Sequence, residues 1–461
     1  MRPDRNANCV FSNLLSRIIL VSALALCMTG CALFETPELS SSTQPEPDPS
    51  APPAAAQAGD VLIVGGGSVV SSNTNETDFT STAKAELFKQ ATKSFVATGP
   101  LVTSRAGIQA IGFFGTGSLA HTAIVPGGMH GTSIFNAMNG VISLSETNEA
   151  NSETFNKAGN FTAGATMKVA RALYTATVLK NGTVLIAGGF SGETPLNSAE
   201  IYNPATKKFT ATGPMKAKRA LHTATLLANG QVLLAGGIKD ASGTTANTAE
   251  LYNPATEKFT MVAASMTVPL AAHTATLISG CGCAKDGEVL LAGGFTGSGS
   301  PSADAVETTL TAAMLYNPST KTFANAPALH DPRNLHTATL IKKGKVLLTG
   351  GVYGQTQFGN NAITAFAGGG IRDTAEIYDP NAGTVTCVGG TAGTACKSSM
   401  KVARAAHTAT LIPSGTLKGQ VLLAGGNTNG TGELFNPATN KFTATGKLHT
   451  PRGFYAAVAV Q

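Results

Sequence analysis

The sequence predicts an all-β chain in which one four-stranded unit is repeated seven times. Three observations carry that prediction. A glycine pair closes an apolar run at Gly65-Gly66, Gly127-Gly128, Gly188-Gly189, Gly236-Gly237, Gly293-Gly294, Gly350-Gly351 and Gly425-Gly426. Downstream of each pair stands one aromatic: Phe88, Phe155, Tyr202, Tyr252, Tyr316, Tyr378 and Phe435. No segment has helical periodicity of useful length, and self-similarity at a period of roughly 50 residues is the mark of a repeat architecture.

The elements read in order along the copy that starts at Arg219. His222-Thr-Ala-Thr opens a first strand that alternates polar and apolar. Asn229-Gly230 then signals a hairpin, because both residues tolerate the positive φ of a type I′ turn. Val232-Leu-Leu-Ala235 is a continuous apolar run, which predicts a second strand buried on both faces. Ala249-Glu-Leu-Tyr252 is a short third strand that stops at Asn253-Pro254. The fourth strand carries one aromatic, and its counterparts are Phe95, Phe161, Phe209, Phe259, Phe323 and Phe442, with Val385 once. The repeats begin with a second strand at Val61 and end with a first strand at Tyr455–Val460, so the C-terminal strand is expected to complete repeat 1 and close a ring. Closure would leave no open sheet edge between the two ends.

Composition agrees with a buried β architecture. Charged residues are 13% of the 461, against roughly 25% in an average soluble domain. Glycine contributes 52 residues and tryptophan none. The net charge of +6 is small for this length, and no basic run is interleaved with aromatics, so the sequence lacks the footprint of a nucleic-acid binder.

The N-terminus reads as an export signal. Arg2, Arg5 and Arg17 precede an apolar stretch, Ile18–Cys27, that is long enough for a signal core and too short to span a bilayer. Met28-Thr29-Gly30-Cys31 resembles a bacterial lipobox, with Met28 where leucine is usual; the alternative is an ordinary secretory peptide cleaved nearby. The resemblance implies a signal peptide over 1–30, lipidation at Cys31, and a tether over 31–58 rich in Pro, Ser and Ala. Ala32 in place of Asp resembles the outer-membrane sorting pattern of Gram-negative lipoproteins. The repeat domain is then 59–461, with membrane attachment through the lipid alone.

Four strands per repeat of this length, with paired glycines and one aromatic on each outer strand, resemble kelch-repeat β-propellers of the galactose-oxidase-like group. The likeness covers about residues 59–461. Phe stands where kelch repeats usually carry Trp on the fourth strand.

Two further repeat positions form a pattern. Arg105, Arg171, Arg219, Leu270, Arg333, Arg404 and Arg452 open the first strands. Glu86, Glu153, Glu200, Glu250, Met314, Glu376 and Glu433 open the third strands. Each series is broken once, in the same repeat. Losing one buried charge strands its partner, so a double loss implies contact. The pattern predicts the pairs Arg105–Glu153, Arg171–Glu200, Arg219–Glu250, Arg333–Glu376, Arg404–Glu433 and, across the closure, Arg452–Glu86. Arginine suits the role because its fork meets a carboxylate bidentately.

Residues suggestive of chemistry are few. His222, His273, His336 and His407 share a repeat position that resembles a copper ligand of galactose oxidase. A residue repeated around a ring reads instead as a scaffold hydrogen-bonder, since a metal needs ligands converging on one point. No Tyr-His dipeptide is present, and neither metal nor cofactor is expected. In an oxidising envelope, Cys387 with Cys396 and Cys281 with Cys283 are disulfide candidates. The two pairs should lie on opposite faces of a propeller.

Function is expected on loops. The second-to-third loops at about 129–151, 295–311 and 352–373 are long and unequal among the repeats, and binding favours loops held by a rigid frame. Met129, His130, Phe135, Tyr353, Phe358, Phe366 and Arg372 are the contact candidates; the alternative is that the insertions pack on one another and hold no ligand. Two functions follow: a non-catalytic envelope lipoprotein whose loop face binds a protein or envelope glycan, or an envelope enzyme acting on sugars, of mutarotase or lyase type.

Overall fold

A computed structural model describes residues 52–73, 76–113, 121–136, 141–192, 194–297, 305–359, 362–390 and 396–460. The apolar stretch Ile18–Cys27, Cys31 and most of the expected tether over 31–58 lie outside these residues. Among them the chain is all-β, with a single 3-10 turn at Lys342–Gly344.

Seven four-stranded antiparallel sheets share one strand order. In repeat 4 it runs Thr223–Leu226, Val232–Ala235, Ala249–Asn253, Lys258–Met261. In repeat 1 the first position is taken by Ala456–Ala459, which pairs with Val61–Val64 so that Ala459 faces Val61 and Ala456 faces Val64. Second strands such as Val184–Ala187, Val232–Ala235 and Val421–Ala424 are buried at every residue. Their side chains fill the space between neighbouring sheets on both faces, which explains the continuous apolar run. The third- and fourth-strand aromatics stand directly opposite one another, as in Tyr252 and Phe259 with ring centroids 4.7 Å apart. Such a tilted pair adds about 0.5–1.5 kcal/mol beyond its buried area.

The hairpin prediction needs correction. Asn181 and Asn229 do not take positive φ; only Gly182 and Gly230 do. Gly230 N–H donates to Leu227 C=O, and Leu227 N–H donates to Gln231 C=O. This is the three-residue loop in which the left-handed residue follows a type I turn. Asn229 Oδ1 instead accepts the Gln231 N–H at 3.0 Å, so the asparagine caps the turn.

The repeats meet through backbone. In Gly188-Gly189 both residues have positive φ, and a Cβ on Gly188 would lie 2.3 Å from Arg219 C=O. The close approach lets Gly189 N–H donate to that carbonyl, and the same bond recurs at every glycine pair, ending with Gly426 to Arg452. Two residues after each Arg position stands a left-handed residue: Gly107, Leu173, Leu221, Ala272, Leu335, Ala406 and Phe454. Each donates its N–H to the carbonyl of its counterpart in the preceding repeat, and Gly107 donates to Phe454. Seven hydrogen bonds thus run head to tail and return to their start.

Residues 54–58, expected in the tether, pack on the repeats. Ala56 is buried, its N–H donates to Lys157 C=O, and Lys89 Nζ reaches Ala55 C=O at 2.6 Å. A short Pro/Ala segment gives no sequence periodicity by which this docking could be read.

Candidate binding face

The long second-to-third connections do not form open loops. Gly67–Asn73, Glu76–Ser81, Met129–Asn136 and Val141–Asn148 make one additional four-stranded sheet. Phe295–Thr296, Ala305–Thr309, Val352–Gly359 and Ala362–Ile371 make another. Each joins insertions from two successive repeats, through the pairings Thr77 with Phe135 and Glu307 with Thr356. The insertion at 67–81 is a fourth long connection beside the three expected. Its signal was spacing: Gly66 to Glu86 spans more residues than Gly189 to Glu200.

The contact candidates divide. His130 is exposed and its Nδ1 lies 2.8 Å from Ser104 Oγ. Tyr353 and Arg372 are half-buried, with the guanidinium carbon 3.6 Å from the ring centroid. The side chains of Phe135, Phe358 and Phe366 lie outside the described residues. Met129 is no contact residue: it is 3% exposed, bridges Ala106 through the backbone and packs beside Ala172 and Val352. The residue after the glycine pair is also apolar and bridged at Phe190, Ile238, Phe295 and Val352, which was the signal that it belongs to the core.

Beneath this face lie the charged repeat positions. Arg105–Glu153 (2.7 Å), Arg171–Glu200 (3.1 Å), Arg219–Glu250 (3.0 Å), Arg333–Glu376 (2.8 Å), Arg404–Glu433 (2.7 Å) and Arg452–Glu86 (2.8 Å) are all buried N–O contacts. The arginines do not open the strands themselves; Arg219 precedes Thr223–Leu226 by four residues. Its Nη1 donates to Gly236 and Thr248 carbonyls, while Glu250 accepts the N–H groups of Lys216 and Ala217. One pair therefore ties the second strand, the third strand and the incoming loop. Burial lowers the Arg219 pKa, and Glu250 opposes that shift.

His449 and His330 add to two of these pairs. His449 Nδ1 lies 2.7 Å from Glu86 Oε2, and His330 Nδ1 lies 3.1 Å from Glu376 Oε2. Burial pushes the Glu86 carboxyl up, but the His449 hydrogen bond and the Arg452 charge outweigh it and hold the carboxyl below its ordinary value. The same hydrogen bond raises the His449 imidazole.

His222, His273, His336 and His407 each place Nε2 3.0 Å from a threonine hydroxyl of the preceding repeat, the first being Thr175. Burial depresses His222 and His273 to about 3, and His336 and His407 well below the ordinary imidazole value. Tyr174 and Tyr455 stand at the same position and donate their hydroxyls to the carbonyls of Pro126 and Ala424. Neutral histidine and tyrosine thus serve alike as links between adjacent repeats.

Both cysteine pairs are bonded, Cys281 to Cys283 and Cys387 to Cys396. The first lies in the hairpin between first and second strands of repeat 5; the second joins Cys387, the last residue of the fourth strand of repeat 6, to Cys396 in the connection that follows. His330 comes within 4.8 Å of both sulfurs of the second pair, and Asp331 and Glu376 come within that distance of Cys396. Asp331 bonds Thr374 Oγ1 at 2.6 Å and lies 3.8 Å from Arg372. Asp331 and Glu376 are engaged by Thr374 and Arg333, and both sulfurs are held in the disulfide, so the arrangement braces the root of the 352–371 hairpin.

A Kelch motif is matched over residues 171–216, which run from the Arg171 loop of repeat 3 to the start of repeat 4. Among solved structures, that of YjhT aligns with a TM-score of 0.48 at 12% identity, over 74% of this chain and 98% of that one. No curated protein matches the chain.

Proposed function

We propose that the chain is an exported, lipid-anchored kelch propeller of seven blades, closed by its C-terminal strand, that binds a protein or envelope polymer on its loop face. The observation that carries the binding role is the pair of additional sheets. The seven repeat sheets complete their own hydrogen bonding without them, yet four insertions are spent building two sheets above the frame. Rigid frames that carry added surface use it for recognition. The head-to-tail hydrogen bonds and the Ala456–Ala459 pairing support ring closure. The lipobox-like Met28–Cys31 supports anchorage.

The test compares the exported chain with a form lacking residues 355–369, which keeps Val352 in its core position. Envelope components captured by the intact chain and lost by the deletion, at equal thermal stability, support this face. Identical captured sets overturn it. Incorporation of labelled palmitate that disappears in Cys31→Ser supports the anchor, and label retained in that variant, or absent from both, overturns it.

A further inference from the structure

The turns joining first to second and third to fourth strands share the side opposite the additional sheets. Gln90, in a third-to-fourth turn, bonds Gly59 C=O and Ser414 C=O and accepts Leu417 N–H, thereby joining the incoming chain to a first-to-second turn of repeat 7. Lys345 of one turn type meets Asp379 of the other at 2.8 Å. Among the described residues, fourteen lysines lie on this side against five carboxylates: Asp60, Glu257, Asp286, Glu288 and Asp379. Three of the lysines, Lys89, Lys285 and Lys345, are paired with Asp60, Glu288 and Asp379. The other eleven are exposed and form no ion pair among the described residues. Examples are Lys93 in repeat 1, Lys208 in repeat 3, Lys258 in repeat 4, and Lys342 and Lys418 in repeats 6 and 7.

We propose that this turn face lies against an anionic phospholipid surface. Lysines spread over every repeat present a broad array of point charges; the hollows on this side lie between neighbouring turns, as at Lys342, Lys343 and Lys345, and no row of aromatics for stacked bases lines them among the described residues. Each ammonium near such a surface adds a small increment, so the sum matters more than any one contact. Direction agrees with charge: the chain enters the repeats at Ala54–Asp60 on this same side, downstream of the apolar Ile18–Cys27 stretch. The face would supply a second membrane attachment beyond the acyl chain expected at Cys31. It rests on the envelope reading only for the identity of the surface.

Sedimentation with vesicles tests it, using the full chain with Cys31→Ser so that no acyl chain contributes. Binding to phosphatidylcholine vesicles containing phosphatidylglycerol, weak binding to phosphatidylcholine alone, and loss on raising salt are expected. The variant K208Q/K258Q/K342Q/K418Q should lower partitioning at least about tenfold. K168Q/K216Q/K218Q/K239Q, on the loop side, should leave it unchanged. Equal loss in both variants, binding indifferent to lipid charge, or tighter retention by single-stranded RNA at the same salt would overturn the proposal. Palmitate labelling at Cys31 is a separate readout, so failure of the anchor and failure of the face are distinguishable.

Discussion

In repeat 4 the side chains of Arg219 and Glu250 meet beneath the loop face; in repeat 5 Leu270 and Met314 occupy the same two positions, both fully buried. The backbone is indifferent to the exchange. Gly237 N–H donates to Leu270 C=O at 2.7 Å, as Gly189 N–H donates to Arg219 C=O at 2.9 Å. Ala272 takes the left-handed turn that Leu221 takes. The difference lies in what the side chains hold. Glu250 caps two loop N–H groups; Met314 offers its sulfur to Thr267 Oγ1 at 4.0 Å. Glycine geometry and backbone bonds therefore set the junction, while the ion pair is one of two fillings for it.

The largest expected effects come from mixing the fillings. Met314→Glu in repeat 5, or Arg219→Leu alone in repeat 4, should each cost about 3–5 kcal/mol of unfolding free energy in denaturant titration, because an uncompensated charge stays buried. The double change R219L/E250M should recover to within about 2 kcal/mol of the parent. A double variant as unstable as the singles would break the equivalence of the two repeats.

Acid should act on both repeats through their histidines. His222 and His273 are depressed from 6.5 to about 3, chiefly by burial, with Arg219 adding to the shift at His222 only. The unfolded chain therefore takes up protons that the folded chain refuses. The stability from neutral imidazole is complete above pH 6.5 and is lost as pH falls toward 3. Each such histidine costs up to about 1.4 kcal/mol per pH unit in that window. His222→Tyr, which installs the residue used at 174 and 455, should move the acid-unfolding midpoint lower. An unchanged midpoint would show that burial does not hold this imidazole neutral. Glu86 and His449 pull oppositely: the depressed carboxyl contributes stability above its ordinary pKa that is lost as pH falls, and the raised imidazole contributes stability at low pH that is lost as pH rises.

The smallest effect concerns the disulfide that repeat 5 has and repeat 4 lacks. Cys281–Cys283 closes a loop of sequence separation 2, so C281S/C283S should cost less than about 2 kcal/mol in chemical denaturation. A larger loss would mark that hairpin as part of the core rather than an ornament on it.

The repeat frame was legible because its causes are local. Paired glycines answer a close backbone approach, the apolar second strand answers burial on both faces, and Leu270 with Met314 exposes the charged pairing by a shared exception. The type I′ expectation failed because the loop holds one more residue than Asn-Gly alone implies, which places Asn229 where its side chain caps. The additional sheets were illegible because their pairings join insertions from different repeats, so no single segment carries the pattern. Met129 is expected among the loop contacts but belongs to the core, because its repeat position is bridged. The basic face leaves no charged run in the sequence because most turns give one or two lysines, and only folding gathers them.

The Ala456–Ala459 and Val61–Val64 pairing has a consequence in time. The ribosome makes the two strands about 400 residues apart, so the inner edge of the first sheet spends most of synthesis without its neighbour. Joining such distant segments costs roughly 5 kcal/mol of chain entropy, which grows only logarithmically with separation. The delay therefore weighs on kinetics more than on final stability. During it, Val61–Val64 is an apolar edge able to pair with a strand of another nascent chain. Export in an unfolded state would postpone that hazard until the completing strand has also crossed.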